Sequence, residues 1–485
     1  MKDLSQLNSW HSNWSGLKAV VFGLGVSGFS VADTLAELGA DVLVVAEKAE
    51  AELIDIIDVL GVEHVTGDAA KGVPAVVVEF EPEILITSPG VKPENELLIW
   101  AREKHIPIWV DIDLAWRLKD KTEKVAEWIL VTGTNGKTTT VQLATAMLNQ
   151  GGIRAIACGN IGTPILDAIR DPSGFDALVI ELSSFQLHYV GEVSPHTSAV
   201  LNLAEDHLDW HGSFNAYADA KAKVYENTRV TCIYNVNDAA TEKLLENADV
   251  IEGARAIGFT TGMPSGSQVG FAEDILCDRA FLEDRATSAL ELATLEDLAN
   301  IGVLTPHLMA NTAAAAAIAR SFDVAPADIR QAIREFRLDA HRIELVADHL
   351  GIKWLDDSKA TNPHAAAASL NSFENIIWVA GGLLKGVDVA PLVAEYKDRL
   401  KTVLIIGKDR SALVDAISKG APELPFFEIE SEDVMHDVVA KAKKIAASGD
   451  VVLLAPAAAS MDQFKDYADR GRKFAHQVKL QLGLM

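Results

Sequence analysis

Cysteine is scarce in this chain: Cys158, Cys232 and Cys277 are three residues in 485. Odd in number and widely spaced, they exclude a disulfide framework and a cysteine-rich zinc site, and they point to reduced thiols of a cytoplasmic protein. Positive charge is also short. Against 69 Asp and Glu stand 43 Lys and Arg, a formal net charge of −26. That balance argues against non-specific nucleic-acid binding and against docking on an anionic membrane, while leaving local Lys, Arg and N–H groups free to hold anionic ligands. Long hydrophobic runs are missing. The first apolar run, Ala19 to Phe22, ends in glycines and reads as a strand, and no stretch has the length or purity of a membrane span. The N-terminus, with Trp10, His11 and Trp14 among polar residues, does not read as a signal peptide. There is no internal repeat, and an apolar content of 49 % excludes low-complexity disorder. A chain of this length exceeds a single core, so about three domains are expected.

What is present begins with residues 132–140, Thr-Gly-Thr-Asn-Gly-Lys-Thr-Thr-Thr. They follow the apolar run Trp128 to Val131 and lead into a helical pattern from Val141 to Asn149 that stops at Gly151-Gly152. Strand, glycine turn and helix in that order aim backbone N–H groups and the positive helix end at a phosphate. Lys137 can reach outer phosphates and the Thr138 hydroxyl can sit on Mg²⁺. The six-residue form of such loops needs glycine where Val131 stands, so Gly133 and Gly136 alone frame this one.

Before this loop, short strands at Lys18 to Phe22, Val42 to Val45 and Ile84 to Thr87, with a helix from Ser27 to Leu38, predict a parallel sheet with helices on its faces. The first turn, Gly23-Leu-Gly25-Val-Ser-Gly28, is a G-x-G-x-x-G fingerprint, and Glu47 falls where a ribose-binding acid would lie. Alone it suggests NAD, although such a turn can hold any diphosphate. The turn Thr87 to Gly90, with Ser88, could face the same ligand. After the loop, Glu181 ends the strand Ala177 to Ile180, well placed as a hard oxygen ligand for Mg²⁺. The strand Ser198 to Leu203 runs into a dense polar group with Asp206, His207, Asp209 and His211, and the helix Phe214 to Glu226 carries Lys221 and Lys223. The acidic stretch 261–303 reads as loops and a surface excursion. An Ala-rich helix follows from Pro306 to Arg320, then an interdomain joint from Phe336 to Arg342. From 341 onward strands recur at Lys353 to Leu355, Ile376 to Ala380, Val403 to Ile406 and Val451 to Leu454, with polar groups at three strand ends.

Taken together, residues 132–140, Glu181 to Leu187, Asn202 to Asp209, Asp357 to Asn362 and Ala459 to Lys465 resemble the Mur ligases of peptidoglycan synthesis, over essentially the whole chain and in order. The resemblance implies an α/β protein of three domains: residues 1–110, Rossmann-like and UDP-sugar-binding; 111–340, a P-loop ATPase with a mostly parallel sheet; and 341–485, Rossmann-like and amino-acid-binding. It reassigns the first glycine turn from NAD to a UDP diphosphate, contacted by Val26, Ser27 and Ser88. The activity implied is an ATP-dependent ligation, closest to that of members that add D-glutamate to UDP-N-acetylmuramoyl-L-alanine through an acyl phosphate. A Mur-type or folylpolyglutamate-type ligase with another amino acid is the alternative. ATP would be held by Gly133, Thr134, Asn135, Gly136, Lys137, Thr138, Thr139, Asn311, Arg342 and Asp357. Of two Mg²⁺ ions, Thr138 and Glu181 would hold one, His207 and a carbamylated Lys221 the other. Lys137, Glu181, His207 and Lys221 carry the implied catalysis. Asn160 and His207 would touch the sugar substrate. Thr361, Lys359, Lys385, Ser460 and Tyr467 would receive D-glutamate. The expected protein is a cytoplasmic monomer acting on small molecules, with no nucleic acid or membrane partner. The chain departs from the family pattern at Leu308, where Asn is usual after His307, and at Ala46-Glu47-Lys48, where Asp-Thr-Arg usually meets uracil.

Overall fold

A computed structural model describes residues 2–299, 301–338 and 340–484, so Asp339 of the expected joint lies outside the described residues. Three sheets follow one another along the chain. The first contains β1 (Lys18–Leu24), β2 (Asp41–Ala49), β3 (Glu63–Thr66), β4 (Ile84–Thr87) and β5 (Ile108–Trp109). Its order is β3-β2-β1-β4-β5 and its pairings are parallel. Ala19 to Phe22 and Val42 to Val45 are buried at successive positions because both faces are covered, which is why these strands read as continuous apolar runs rather than alternations.

The second sheet contains β6 (Glu127–Thr132), β7 (Ala155–Gly159), β8 (Ala177–Glu181), β9 (Thr197–Val200), β10 (Thr231–Asn235), β11 (Arg255–Phe259), β12 (Gln268–Ala272), β13 (Ile275–Asp278) and β14 (Leu290–Thr294). Its order is β14-β13-β12-β11-β10-β9-β6-β8-β7. It is parallel from β7 to β12 and antiparallel beyond. The expectation of loops over 261–303 is therefore corrected: β12 to β14 extend the sheet, and a helix, Leu295–Ala299, follows. Val269, Phe271, Leu276 and Leu292 are buried, but strands of four or five residues interrupted by glycine and acids give too few periods to stand out from a loop. The strand expected over Ser198 to Leu203 stops at Val200.

The third sheet contains β15 (Glu344–His349), β16 (Ile352–Asp356), β17 (Ile376–Gly381), β18 (Leu400–Ile406), β19 (Phe426–Glu428) and β20 (Val451–Leu454), in the order β15-β16-β20-β17-β18-β19. It is parallel except for the β15–β16 hairpin. The Ala-rich helix Pro306–Arg320 packs on the helix Lys137–Gln150, its small side chains permitting a close approach. One apolar cluster runs without a break from the first sheet, through Ile112 and Leu114, to Trp128, Leu166 and Leu178 of the second. The third sheet has separate clusters on its two faces. Among the described residues no helix is long and apolar enough to cross a membrane.

Candidate functional site

Ligands of open parallel sheets bind beyond the carboxyl ends of the strands, and the turn after β6 lies there. The helix begins at Lys137, inside the glycine-rich loop, rather than at Val141. Gly136 has φ +80°, and a Cβ there would come within 2.2 Å of Asn311 Oδ1, so only glycine fits. The Lys137 ammonium curls back over the loop and donates to Gly133 O at 2.9 Å and Thr134 O at 3.0 Å. Asn202 clamps the loop, accepting from Asn135 N at 2.8 Å and donating to Asn135 O at 3.0 Å. The Thr134 hydroxyl bonds the Tyr217 hydroxyl at 2.9 Å.

Glu181 is buried at the end of β8. It accepts from the Thr138 hydroxyl at 2.9 Å and from Asn160 Nδ2 at 3.2 Å. A hydroxyl and a carboxylate so placed are hard oxygen donors of the kind Mg²⁺ takes, so the residues fit that ion. Lys221 is buried, with its Nζ donating to neutral oxygens, Thr132 Oγ1 at 3.2 Å and Gly133 O at 2.9 Å. Burial, reinforced by the Lys137 charge, holds its pKa well below that of an ordinary lysine, which favours the neutral amine. His207 has a left-handed backbone, φ 54°, and its ring meets Phe185 edge-on at 4.7 Å. Burial lowers its pKa to about 4, so at neutral pH the imidazole keeps a free lone pair.

A cavity of about 310 Å³ joins this loop to the third sheet. Asn362 Nδ2 donates to Asp206 Oδ2 at 3.1 Å and to Asn135 Oδ1 at 3.2 Å, Asn135 Nδ2 meets His364 Nδ1 at 2.9 Å, and Lys385 lies 3.8 Å from Asp206. Arg342 sits between His341 and Ile343, whose φ values of 69° and 48° are strained for residues with a Cβ. His341 Nδ1 pairs with the buried Asp356 at 2.6 Å, which anchors that bend. Asp357 accepts from the Ser369 hydroxyl, and burial raises its pKa to about 7.

Of the residues singled out in the sequence, Thr134, Asn135, Gly136, Lys137, Thr138, Thr139, Asn160, Glu181, His207, Asn311, Arg342, Asp357, Lys359, Thr361 and Lys385 line this one cavity. Gly133 and Lys221 lie behind the loop, joined by their hydrogen bond. Tyr467 stands back from the cavity and accepts from Lys359 Nζ at 2.8 Å. Ser460 is buried in the loop after β20 and does not line the cavity. Ser27 and Ser88 flank a separate small cavity at the first glycine turn, and Val26 beside it is exposed. Other polar lining residues carry no role in the sequence reading: Asn202, Asp206, Thr305, Asn362, His364 and Ser369. Asn202 and Asp206 stood in the polar group after β9, and Asn362 ended the stretch Asp357 to Asn362 that carries the resemblance; His364 gave no signal, since its partner is distant in sequence. His307 also lines the cavity, its Nδ1 buried and without a partner, with Leu308 beside it.

Comparison with known proteins adds the following. Residues 131–319 match the family model of the Mur ligase middle domain, and residues 341–458 that of the Mur ligase, glutamate ligase domain. The chain is 54 % identical to a UDP-N-acetylmuramoylalanine–D-glutamate ligase of Leifsonia xyli, covering 99 % of this chain and 96 % of that protein. It is 46 % identical to the enzyme of that name from Streptomyces avermitilis, covering 96 % and 99 %. In fold it is similar to UDP-N-acetylmuramate-alanine ligase MurC from Thermotoga maritima, with a TM-score of 0.56 at 19 % identity over 96 % of this chain and 99 % of that one. MurF ligase from the same organism, in complex with ADP, gives a TM-score of 0.56 at 16 % identity over 100 % of both chains.

Proposed function

The chain belongs to the Mur ligase family, and from that premise we infer that it is an ATP-dependent ligase adding D-glutamate to UDP-N-acetylmuramoyl-L-alanine in peptidoglycan synthesis. The observation that carries the reading is the single cavity in which the phosphate loop faces Lys359, Thr361 and Lys385 of the third sheet. A ligase of this type must bring a phosphoryl donor, a carboxylate and an amine within reach of one another, and the cavity brings together groups suited to the donor and to an anionic amino acid.

In this reading the protein has three domains, 1–110, 111–340 and 341–485, and works as a cytoplasmic monomer. Lys137 and the N–H groups of the loop hold the outer phosphates of ATP, and Asn311, Arg342 and Asp357 make further contacts with it. The L-alanyl carboxylate displaces ADP to become an acyl phosphate, which turns a poor leaving oxygen into a good one. The D-glutamate amine then attacks the carbonyl carbon, and phosphate departs. Lys359 and Lys385 neutralise the dicarboxylate, with Thr361 as its hydroxyl neighbour; Tyr467 holds Lys359 from behind the cavity, and Ser460, expected beside D-glutamate, reaches it only if the loop after β20 moves. Thr138 and Glu181 would hold one Mg²⁺, and His207 with a carbamylated Lys221 a second. When bound, these ions offset the phosphate charge that would otherwise repel the attacking carboxylate. A neutral, buried Lys221 amine is the form that combines with carbon dioxide. The UDP diphosphate sits on the Gly23–Gly28 turn, near Val26, Ser27 and Ser88, and the sugar reaches toward Asn160 and His207.

The test is phosphate release with ATP, Mg²⁺ and UDP-N-acetylmuramoyl-L-alanine, comparing D-glutamate with L-glutamate, L-lysine and meso-diaminopimelate. Release with D-glutamate alone is expected. Release with another amino acid instead would overturn the specificity, and release with none would overturn the reaction.

A further inference from the structure

Three residues of the polar group after β9, Asp209, Trp210 and His211, have no part in the reaction above, yet they stand between its two ends. The UDP diphosphate is read as seated on the glycine turn of the first sheet, while His207, which would meet the sugar, belongs to the second. Against the glycine turn lies the turn 88–91: a Cβ on Gly23 would come within 2.4 Å of Ser88 Oγ, and Val91 N donates to Ser88 O at 3.1 Å. Three side chains tie that turn to the second sheet. The Trp210 indole N–H donates to Gly90 O at 3.4 Å, the Tyr189 hydroxyl to Val91 O at 3.1 Å, and the Lys92 ammonium to Asp209 O at 2.7 Å.

His207 needs such support. Residues 201–207 belong to no helix or strand, and the His207 backbone is left-handed, so no ladder of backbone bonds fixes it. Its ring lies 3.6 Å from Asp206 Oδ2, longer than a normal hydrogen bond. The ring packs edge-on against Phe185, and Phe185 in turn packs on Trp210, each pair with ring centres 4.7 Å apart. Trp210 is 6 % exposed and is braced by the rings of His188 at 5.2 Å and His211 at 4.5 Å. His211 is itself held by the Ser184 hydroxyl at 3.0 Å. Rings in such contact hold one another's angle, each pair adding a modest free energy beyond its buried area. The path from the turn to the imidazole is therefore one hydrogen bond and two ring contacts long.

We propose that Trp210 is a positioning residue that links the nucleotide's turn to the reacting end: through Gly90 O it is fixed to the turn, and through Phe185 it holds the His207 imidazole where the sugar arrives. Trp210 lines neither the large cavity nor the small one, so it acts through other residues. The inference rests on the reading that the UDP diphosphate sits on the glycine turn and that its sugar reaches His207.

Calorimetry of UDP and of UDP-N-acetylmuramoyl-L-alanine binding to the whole protein, beside phosphate-release kinetics, tests it. The wild type should bind the UDP-sugar more tightly than UDP. In Trp210→Leu the affinity for UDP and the KM for ATP should stay at wild-type values. The advantage of the UDP-sugar over UDP should shrink about three- to tenfold, and kcat should fall about tenfold. Trp210→Phe keeps a ring against Phe185 and loses the N–H, and Lys92→Met removes a half-exposed cation from the same crossing. Both should shift the same two quantities in the same direction, by less, and they decide the matter if Trp210→Leu fails to fold. A merely structural Trp210 predicts a lower melting temperature with kcat and the sugar's advantage unchanged, or UDP, UDP-sugar and ATP weakened alike. Either result overturns the inference alone. No wild-type binding of the UDP-sugar overturns the reading and the inference together.

Discussion

Where the first sheet meets the second, the helix Asp111–Arg117 packs on the helix Ile165–Ile169, and Ile112, Leu114, Leu166 and Trp128 are buried in one continuous cluster. Where the second sheet meets the third, the bonds that cross run between polar side chains at the rim of a cavity: Asn135, Asp206, Asn362, His364 and Lys385. Burying apolar area favours a fixed arrangement at roughly 25 cal/mol per Å². Apart from the buried Asn362–Asp206 bond, these lie among exposed or half-exposed polar groups, whose bonds exchange readily with water and contribute little net free energy. The contrast predicts that the first joint stays closed while the second opens and closes, as suits a site whose ligands must enter before they react.

The largest effect that would break this contrast is on stability. Leu114→Ala removes a fully buried side chain from the shared cluster and should lower the unfolding free energy by about 2–5 kcal/mol. Calorimetry should show the first two sheets destabilised together. A loss confined to the first sheet would mean that the joint is no firmer than the other.

At the second joint the effect should move from stability to turnover. Asn362 also caps the helix Pro363–Leu370, accepting from Ala365 N at 2.8 Å. Asn362→Ser keeps a capping oxygen and removes the amide that reaches Asn135 and Asp206. Stability should change by less than about 1 kcal/mol, while phosphate release falls roughly tenfold, as expected for one lost crossing bond. Small-angle scattering with nucleotide bound should show a more open form than the wild type. Unchanged turnover would remove Asn362 from the closing contacts.

The same contrast explains what could be read from the sequence. The phosphate loop, Glu181 and the first glycine turn were legible because each occupies a few consecutive residues at a strand end, where local pattern and chemistry coincide. His207 and Lys221 needed the resemblance, since burial and the lowered proton affinity of Lys221 depend on residues brought in from other strands. The crossing of Asn135 to Asn362, 227 positions apart, has no local signal at all. Nor did β12 to β14, whose short, glycine-broken strands hide their period. The apolar joint was invisible for another reason: Leu114 or Leu166 looks alike whether it fills one core or links two.

The smallest effect separates two buried acids by their donors. Asp357, at the second joint, titrates near 7 in the folded protein against an ordinary 3.8. A raised carboxyl pKa means that folding favours the protonated form: its contribution is whole below pH 3.8 and is lost as pH rises toward 7. At pH 8 the buried charge therefore opposes folding. Asp357→Asn should raise stability there, on the order of 1 kcal/mol, because the Ser369 hydroxyl can reverse and accept from the new amide, and nucleotide binding should weaken. Asp113, at the first joint, is also raised by burial, to about 6. Its donors, however, are backbone: Val110 N at 3.0 Å and Gly191 N, across the joint, at 2.7 Å. Neither can reverse. Asp113→Asn sets an amide against one of them, so at pH 8 stability should fall by about 1 kcal/mol or more, despite the removal of a buried charge. Thermal unfolding of both variants at pH 8 should give shifts of opposite sign. Two shifts of the same sign would mean that burial, and not the kind of donor, sets the behaviour of acids at both joints.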